Sequence, residues 1–335
     1  MTVDEKLALA KADEEEGRQA DAIRRYKEII TQAFGYGPAR IAAQRLAKKL
    51  FADAMAVRDR GDEEGAIGLL VSSVELNPAS GEVRQELARI LGLRPTRDMT
   101  SECLIFPDAQ RATQFYGDTI QTAIDFCVYG GISGDILEFG VLAGWTARLF
   151  AERMRDTQFF GDLHLFDSFK GLPREKSPID AASYDVVRGI WRDEMELPAS
   201  LIAELGMPID LHIKRMLSRV VSSERIHVHK GYFSETLKTQ LPHKAAIVHL
   251  DCDLYQSTME VLDALERDET LQDGTILMFD DWNCNRANPA FGQRRALGEF
   301  LDRSKGRYST SHFRNYGFNC AAFILHDMAG KGDVR

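Results

Sequence analysis

From Asp135 onward, short apolar runs alternate with helix-length segments, and several of the runs stop at an acid or a glycine. The runs are DILEF, LHLF, IHVH, AIVHL, TILMF and CAAFIL. This alternation restricts the fold more than any other feature of the chain. Strands that are each followed by a helix cannot pair as hairpins. They run parallel, and the crossover helices cover both faces of the sheet. Ligands of such sheets bind beyond the carboxyl ends of the strands, so the residues after each run are the candidates for chemistry.

After DILEF comes GVLAGWT. Gly140 and Gly144 permit a tight turn and let the next helix start close to a ligand, where its free N–H groups favour an anionic group. The spacing is G-x-x-x-G, not the G-x-G-x-x-G of pyrophosphate binders, so the same glycines also fit a helix packed tightly on a strand. Glu138, at the end of the first run, is placed to hold an ammonium or another polar group. After LHLF comes DSFKGLP, whose Asp167 can accept hydrogen bonds from ribose hydroxyls or cap its own loop. After IHVH, the stretch Lys230 to Ser234 stands where a third strand end reaches an adenine, and Tyr232 or Phe233 can stack on the base or fill the core beneath. Together these ends point to an adenosine ligand. His227 and His229 alternate with Ile226 and Val228 and read as structural.

AIVHL is followed by DCDLYQST, and TILMF by DDWN. If these two strands are neighbours, Asp251, Asp253, Asp280 and Asp281 converge at one rim. Four ionised carboxylates in one cleft repel, so either protons are retained or a cation sits among them. Oxygen ligands suit a hard ion such as Mg²⁺. The alternative is capping, with Asp253 serving the helix from Leu254 and Asp281 a following turn. The double acid is more than capping requires.

The first ninety or so residues read as helices only. GRQADAI from Gly17 echoes GDEEGAI from Gly61, each a turn glycine leading into an amphipathic helix, and Asn77-Pro78 ends one helix before the next. This resembles tetratricopeptide helical hairpins, with a longer period and one extended helix from about Ala39 to Arg60. The expected organisation is a tetratricopeptide-like helical domain over 1–93, a proline-broken linker over 94–110 and an α/β domain over 111–330. A helical insertion over about 174–224 is expected to act as a lid and acceptor wall, with Tyr184, Arg188 and Trp191 as contacts. The N-terminal helices fit a cap, a self-association surface or a protein-docking groove.

The 335 residues carry a net charge of −9, which argues against a broad nucleic-acid footprint. Five scattered cysteines without a C-x-x-C argue for reduced thiols. The charged N-terminus does not read as a signal peptide, and no apolar run approaches the ~18 residues of a membrane span. A cytoplasmic protein that does not engage membrane is expected.

In order, GDILEFGVLAGWTA, LFDSFKGLP, HKGYFSETL, LDCDLYQST, MFDDWN and GQRRALGEF resemble the macrocin O-methyltransferase (TylF-like) family, class I S-adenosylmethionine-dependent methyltransferases. The resemblance covers about Ala109 to Leu325. It implies a Rossmann-like seven-stranded α/β sheet with one antiparallel strand near its end, S-adenosylmethionine at the first two strand ends, and a divalent metal, usually Mg²⁺. It implies Asp251, Asp280 and Asp281 as metal ligands and Asp253 as general base. It implies Glu138, Gly140, Gly144, Asp167, Ser168, Lys230, Gly231, Tyr232, Phe233 and Asp280 around the cofactor. Cys252 stands where the family usually has glycine, and Trp282 where tyrosine is common. The reaction implied is methyl transfer to a hydroxyl of a small molecule, a sugar or other vicinal diol, by an enzyme expected to be a homo-oligomer. Two alternatives are a helical-repeat scaffold whose methyltransferase fold has lost its chemistry, and an acceptor tethered to a carrier protein.

Overall fold

The computed structural model describes the chain except residues 33–36, 78–79, 92–108, 158, 175, 189–205, 240, 318 and 330–335. Most of the expected linker and Trp191 therefore lie outside the described residues.

Five helices come first: α1 (Val3–Glu15), α2 (Gln19–Gln32), α3 (Gly37–Asp59), α4 (Glu63–Leu76) and α5 (Gly81–Ile90). Thr2 and Glu5 form a capping box at the start of α1. The two echoed glycines sit at the turns into α2 and α4 with φ of +76° and +87°, a conformation that side chains disfavour. The long helix expected near Ala39 is α3, whose buried face is mostly alanine and leucine.

Seven strands form one sheet: β1 (Asp135–Phe139), β2 (Leu163–Asp167), β3 (Ile226–Lys230), β4 (Ala245–Leu250), β5 (Ile276–Phe279), β6 (Tyr308–Tyr316) and β7 (Cys320–Asp327). Their order is β3-β2-β1-β4-β5-β7-β6. Pairings from β3 through β5 are parallel, and β7 runs antiparallel to both of its neighbours. β4 is buried along its whole length, as its apolar sequence demands at the centre of a doubly covered sheet. The helices α6 (Ala109–Gly130), α7 (Trp145–Asp156), α12 (Tyr255–Arg267) and α13 (Gly292–Arg303) accompany the sheet. Apolar clusters on its two faces include Ile136, Phe150 and Ile247 in one and Phe139, Leu250 and Phe279 in the other.

Within the expected lid lie α8 (Pro178–Ala181), α9 (Tyr184–Val187) and α10 (Ile209–Leu217); a short α11 (Phe233–Thr236) follows β3. Ile213 and Met216 of α10 press on Gly144, where a Cβ would come within 3.2 Å of Ile213. That glycine therefore serves helix packing.

The N-terminal helices contact the sheet layer through a buried charged node. Glu75 of α4 accepts hydrogen bonds from Lys27, from Arg225 Nη1 at 2.8 Å and from the Ser222 N–H at 3.2 Å. Arg225 also donates to the carbonyls of Phe159 and Gly161, at 2.9 and 2.6 Å. Phe160 packs against the apolar cluster of the first helices.

Candidate active site

The carboxyl ends of the strands open into a cavity of about 680 Å³. Gly140, Asp167, Ser168, Gly231, Tyr232, Phe233, Asp251, Asp253, Asp280 and Asp281 all line it. Glu138, Gly144 and Lys230 are not among its lining residues. Lys230 is exposed and donates to Asp210 at 2.7 Å. Glu138 is buried in β1, where its Oε1 lies 3.5 Å from His249 Nδ1.

The first two strand ends are built as one piece. A Cβ on Gly140, at φ +94°, would overlap the carbonyl oxygen of Asp251, so only glycine lets β1 turn against β4 here. Asp167 Oδ2 accepts from the N–H groups of Val141 and Leu142, at 2.6 and 2.8 Å, and Oδ1 accepts from Phe169 N–H at 2.6 Å. Oδ2 holds the glycine turn with both of its lone pairs, while Oδ1, engaged by its own loop, keeps one for a further donor. Ser168 Oγ donates to Gly171 O and accepts from Lys170 N–H, which closes the neighbouring loop.

The acidic rim is assembled from β4 and β5. Asp253 has φ +58°, and its N–H donates to Asp281 Oδ2 at 3.0 Å. Gln293 of α13, fully buried, donates to Leu250 O and accepts from Asp281 N–H, so it ties the two strand ends together. Tyr116 of α6 donates to Asp280 Oδ1 at 2.6 Å. Burial and then the repulsion of neighbouring carboxylates push Asp251, Asp253 and Asp281 well above the usual carboxylate range. Beneath them lies His249, fully buried in β4, with Nε2 3.8 Å from Asp280 Oδ1. Burial opposes its charge, but Asp280 and Glu138 outweigh this and push it up to about 10. Neither of its ring nitrogens has a hydrogen-bond partner among the described residues, so the neighbouring carboxylates favour its charge only through space.

Neither aspartate caps its following segment as the alternative reading held. The first N–H groups of α12, from Tyr255 and Gln256, are taken by Asp180 of α8 at 2.7 and 3.1 Å. Asp185 of α9 exchanges hydrogen bonds with the backbone N–H and side-chain oxygen of Asn285. The stretch 178–187 is thereby fastened to the segments that follow β4 and β5, but none of its residues lines the cavity, and the expected acceptor contacts Tyr184 and Arg188 instead pair with each other. Cys252 turns into the core, 4% exposed, with Sγ 3.5 Å from Thr258 Oγ1, and its φ is not positive. Trp282 packs on Phe279 and Phe323 and is not among the cavity's lining residues.

His249, Tyr116, Gln293, Asp180 and Asp185 were not singled out by sequence. His249 alone left a signal, a titratable residue inside an otherwise apolar strand. The others act across long chain separations.

A parallel sheet in this order, with one antiparallel strand beside β5 and a cleft at the strand ends, is that of a class I methyltransferase. Residues 116–303 match the family described as Macrocin-O-methyltransferase (TylF), and the chain belongs to that family of S-adenosylmethionine-dependent O-methyltransferases. Mycinamicin III 3''-O-methyltransferase of Micromonospora griseorubida is 28% identical over 193 residues, 56% of this chain and 67% of that protein. The 8-demethyl-8-(2,3-dimethoxy-alpha-L-rhamnosyl)-tetracenomycin-C 4'-O-methyltransferase of Streptomyces olivaceus is 26% identical over 170 residues, 49% of this chain and 59% of that protein. Among solved structures, the O-methyltransferase NovP is similar at 17% identity and a TM-score of 0.49, covering 63% of this chain and 79% of that one.

Proposed function

We propose that this chain methylates a hydroxyl of a small-molecule acceptor, a sugar or other vicinal diol, using S-adenosylmethionine and a divalent metal. The observation that carries the reading is the set of four aspartates lining one cavity together with the Gly140 turn, which packs directly on Asp251. S-adenosylmethionine supplies the electrophilic methyl: the oxygen–carbon bond forms as the carbon–sulfur bond breaks, and S-adenosylhomocysteine leaves. The Gly140–Leu142 turn and Asp167 are assigned to its ribose and amino-acid side, and Tyr232 and Phe233 to the adenine.

The oxygens of Asp251, Asp280 and Asp281 are all hard donors, but one atom from each does not lie within 4.8 Å of the other two here, so an ion would have to draw the three carboxylates together. Three carboxyls held above their ordinary range gain from any positive charge that lets them ionise, and all their oxygens are hard donors. Asp251, Asp280 and Asp281 are the residues that would hold Mg²⁺. The ion would offset their charge and acidify a hydroxyl bound next to it. Asp253 accepts the acceptor's proton as the new bond forms. His249 keeps the acids from repelling one another apart, and Tyr116 fixes the orientation of Asp280.

The test is calorimetry with S-adenosylmethionine, followed by turnover on a panel of vicinal diols before and after metal removal. Binding, turnover and loss of turnover in EDTA that Mg²⁺ restores are expected. Failure to bind S-adenosylmethionine would return the chain to the scaffold reading, and full turnover without metal would remove the ion.

A further inference from the structure

A second cluster of ligating side chains stands at the opposite end of the same strands. Asp162 precedes β2, His164 is its second residue, and His227 lies opposite His164 on β3. One ligand atom from each of Asp162, His164 and His227 lies within 4.8 Å of the other two, the one such trio among the described residues. Asp167 lies five positions after Asp162, about 16 Å along an extended strand, so this place is distinct from the cleft.

The local chemistry is that of a ligand set. His227 Nε2 is 2.9 Å from Asp162 Oδ2, and the His164 and His227 rings stack at 4.5 Å. His164 Nδ1 contacts His229 Nε2 at 3.1 Å, which fixes the His164 ring and leaves its Nε2 on the side of Asp135, 3.5 Å from Oδ2. Asp135 Oδ1 in turn accepts from the backbone N–H of Asp162 at 2.8 Å, which ties its carboxylate to the start of β2. These groups and His243 line an open hollow of about 400 Å³. The side chains of Asp162 and His227 are each 38% exposed, which leaves an ion both a path in and room for water, while His164 at 13% is held.

We propose that Asp162, His164 and His227 bind a divalent transition-metal ion of the Zn²⁺ type, tying the edge strand β3 to β2. Two imidazoles and one carboxylate are borderline ligands that prefer Zn²⁺, Co²⁺, Ni²⁺ or Cu²⁺ to Mg²⁺. Around a tetrahedral ion at ~2.1 Å, ligand atoms sit about 3.4 Å apart, which small ring rotations reach from the present spacing. The contact of His229 with His164 Nδ1 is of the kind that orients a metal-bound histidine, and leaves Nε2 as the ligand atom. The sequence reading of His227 as structural accounts for its place in the strand; it leaves unexplained why two imidazoles and two carboxylates meet at one solvent-open hollow.

The experiment is equilibrium dialysis of the full chain against Zn²⁺ in excess Mg²⁺, which occupies hard oxygen sites. One retained Zn²⁺ per chain is expected. His227→Gln and Asp162→Asn, both at half-exposed positions compatible with folding, are expected to weaken retention by about tenfold or more, while Asp281→Asn leaves it unchanged. Co²⁺ should give visible absorption bands that His227→Gln abolishes, with circular dichroism confirming that the variant is folded. No retention by the natural chain, retention by both variants equal to the natural chain, or loss confined to Asp281→Asn would each overturn the proposal.

Discussion

Asp253 combines a left-handed backbone, a carboxyl held above its ordinary range and a wall position in the cavity. Sequence placed it at a strand end; only the fold shows its backbone N–H bonded to Asp281. Asp253→Asn keeps the shape and removes the proposed proton acceptor. Turnover is expected to fall by roughly 10²–10⁴-fold with S-adenosylmethionine affinity retained, as single-turnover kinetics beside calorimetry will read. The raised carboxyls also set a direction with pH. In the metal-free protein the native state of Asp251, Asp253 and Asp281 holds protons that the unfolded chain has released. Their contribution to stability is full below about pH 4 and lost as pH rises through the raised values. His249, pushed up to about 10, acts in the same sense, full below its ordinary range and lost as pH approaches that value. Urea unfolding in EDTA is therefore expected to show stability falling from pH 5 upward, less steeply in Asp281→Asn; a rise would contradict the assignment. Mg²⁺ affinity should increase over the same range, because the ion displaces those protons.

At the scale of elements, the strands that carry the site were legible and the fastenings between them were not. AIVHL and TILMF announce themselves because a buried parallel strand must be apolar on both faces. β6 was not read from its residues, since YSTSHFRNY, on the sheet edge, is largely polar and only its ends are buried. The cap of α12 was illegible for another reason: its donors are satisfied by Asp180, some 75 residues earlier in the chain. Nothing in the local sequence marks a cap that tertiary structure supplies. Asp180→Ala is expected to cost about 1 kcal/mol, the usual loss for a helix cap, and to loosen the stretch 178–187. Chemical denaturation will read the first effect and a raised KM for the acceptor the second. A lowered stability with unchanged KM would separate the cap from any part in acceptor binding.

Across the whole molecule, the helices and the sheet layer meet at Glu75, Lys27 and Arg225. Glu75 is 1% exposed; burial works against its charge, yet Lys27 and Arg225 hold it down at about 2. Its contribution is full above about pH 4.5 and lost as pH falls toward 2, opposite in sign to the acids of the cleft. Removing one partner strands a buried charge. Glu75→Gln or Arg225→Met is expected to lower stability by about 3–5 kcal/mol, and the double variant to recover part of that loss. Equilibrium unfolding followed by two probes, one in the helices and one in the cleft, will show whether both halves melt together. The existence of helices and an α/β layer could be read from composition and periodicity. Their joint could not, because Glu75 and Arg225 look like ordinary charged residues until the fold buries them.

The same joint bears on ancestry. A chain whose two parts share an interior ion cluster cannot trade its N-terminal helices by simple recombination, because the sheet layer arriving alone would bring the Arg225 guanidinium without its counterion, and the helices alone would leave Glu75 with Lys27 but without its second cation. Descendants of this architecture should therefore inherit positions 75 and 225 as a pair, with change at one accompanied by change at the other, even where the acceptor wall diverges freely.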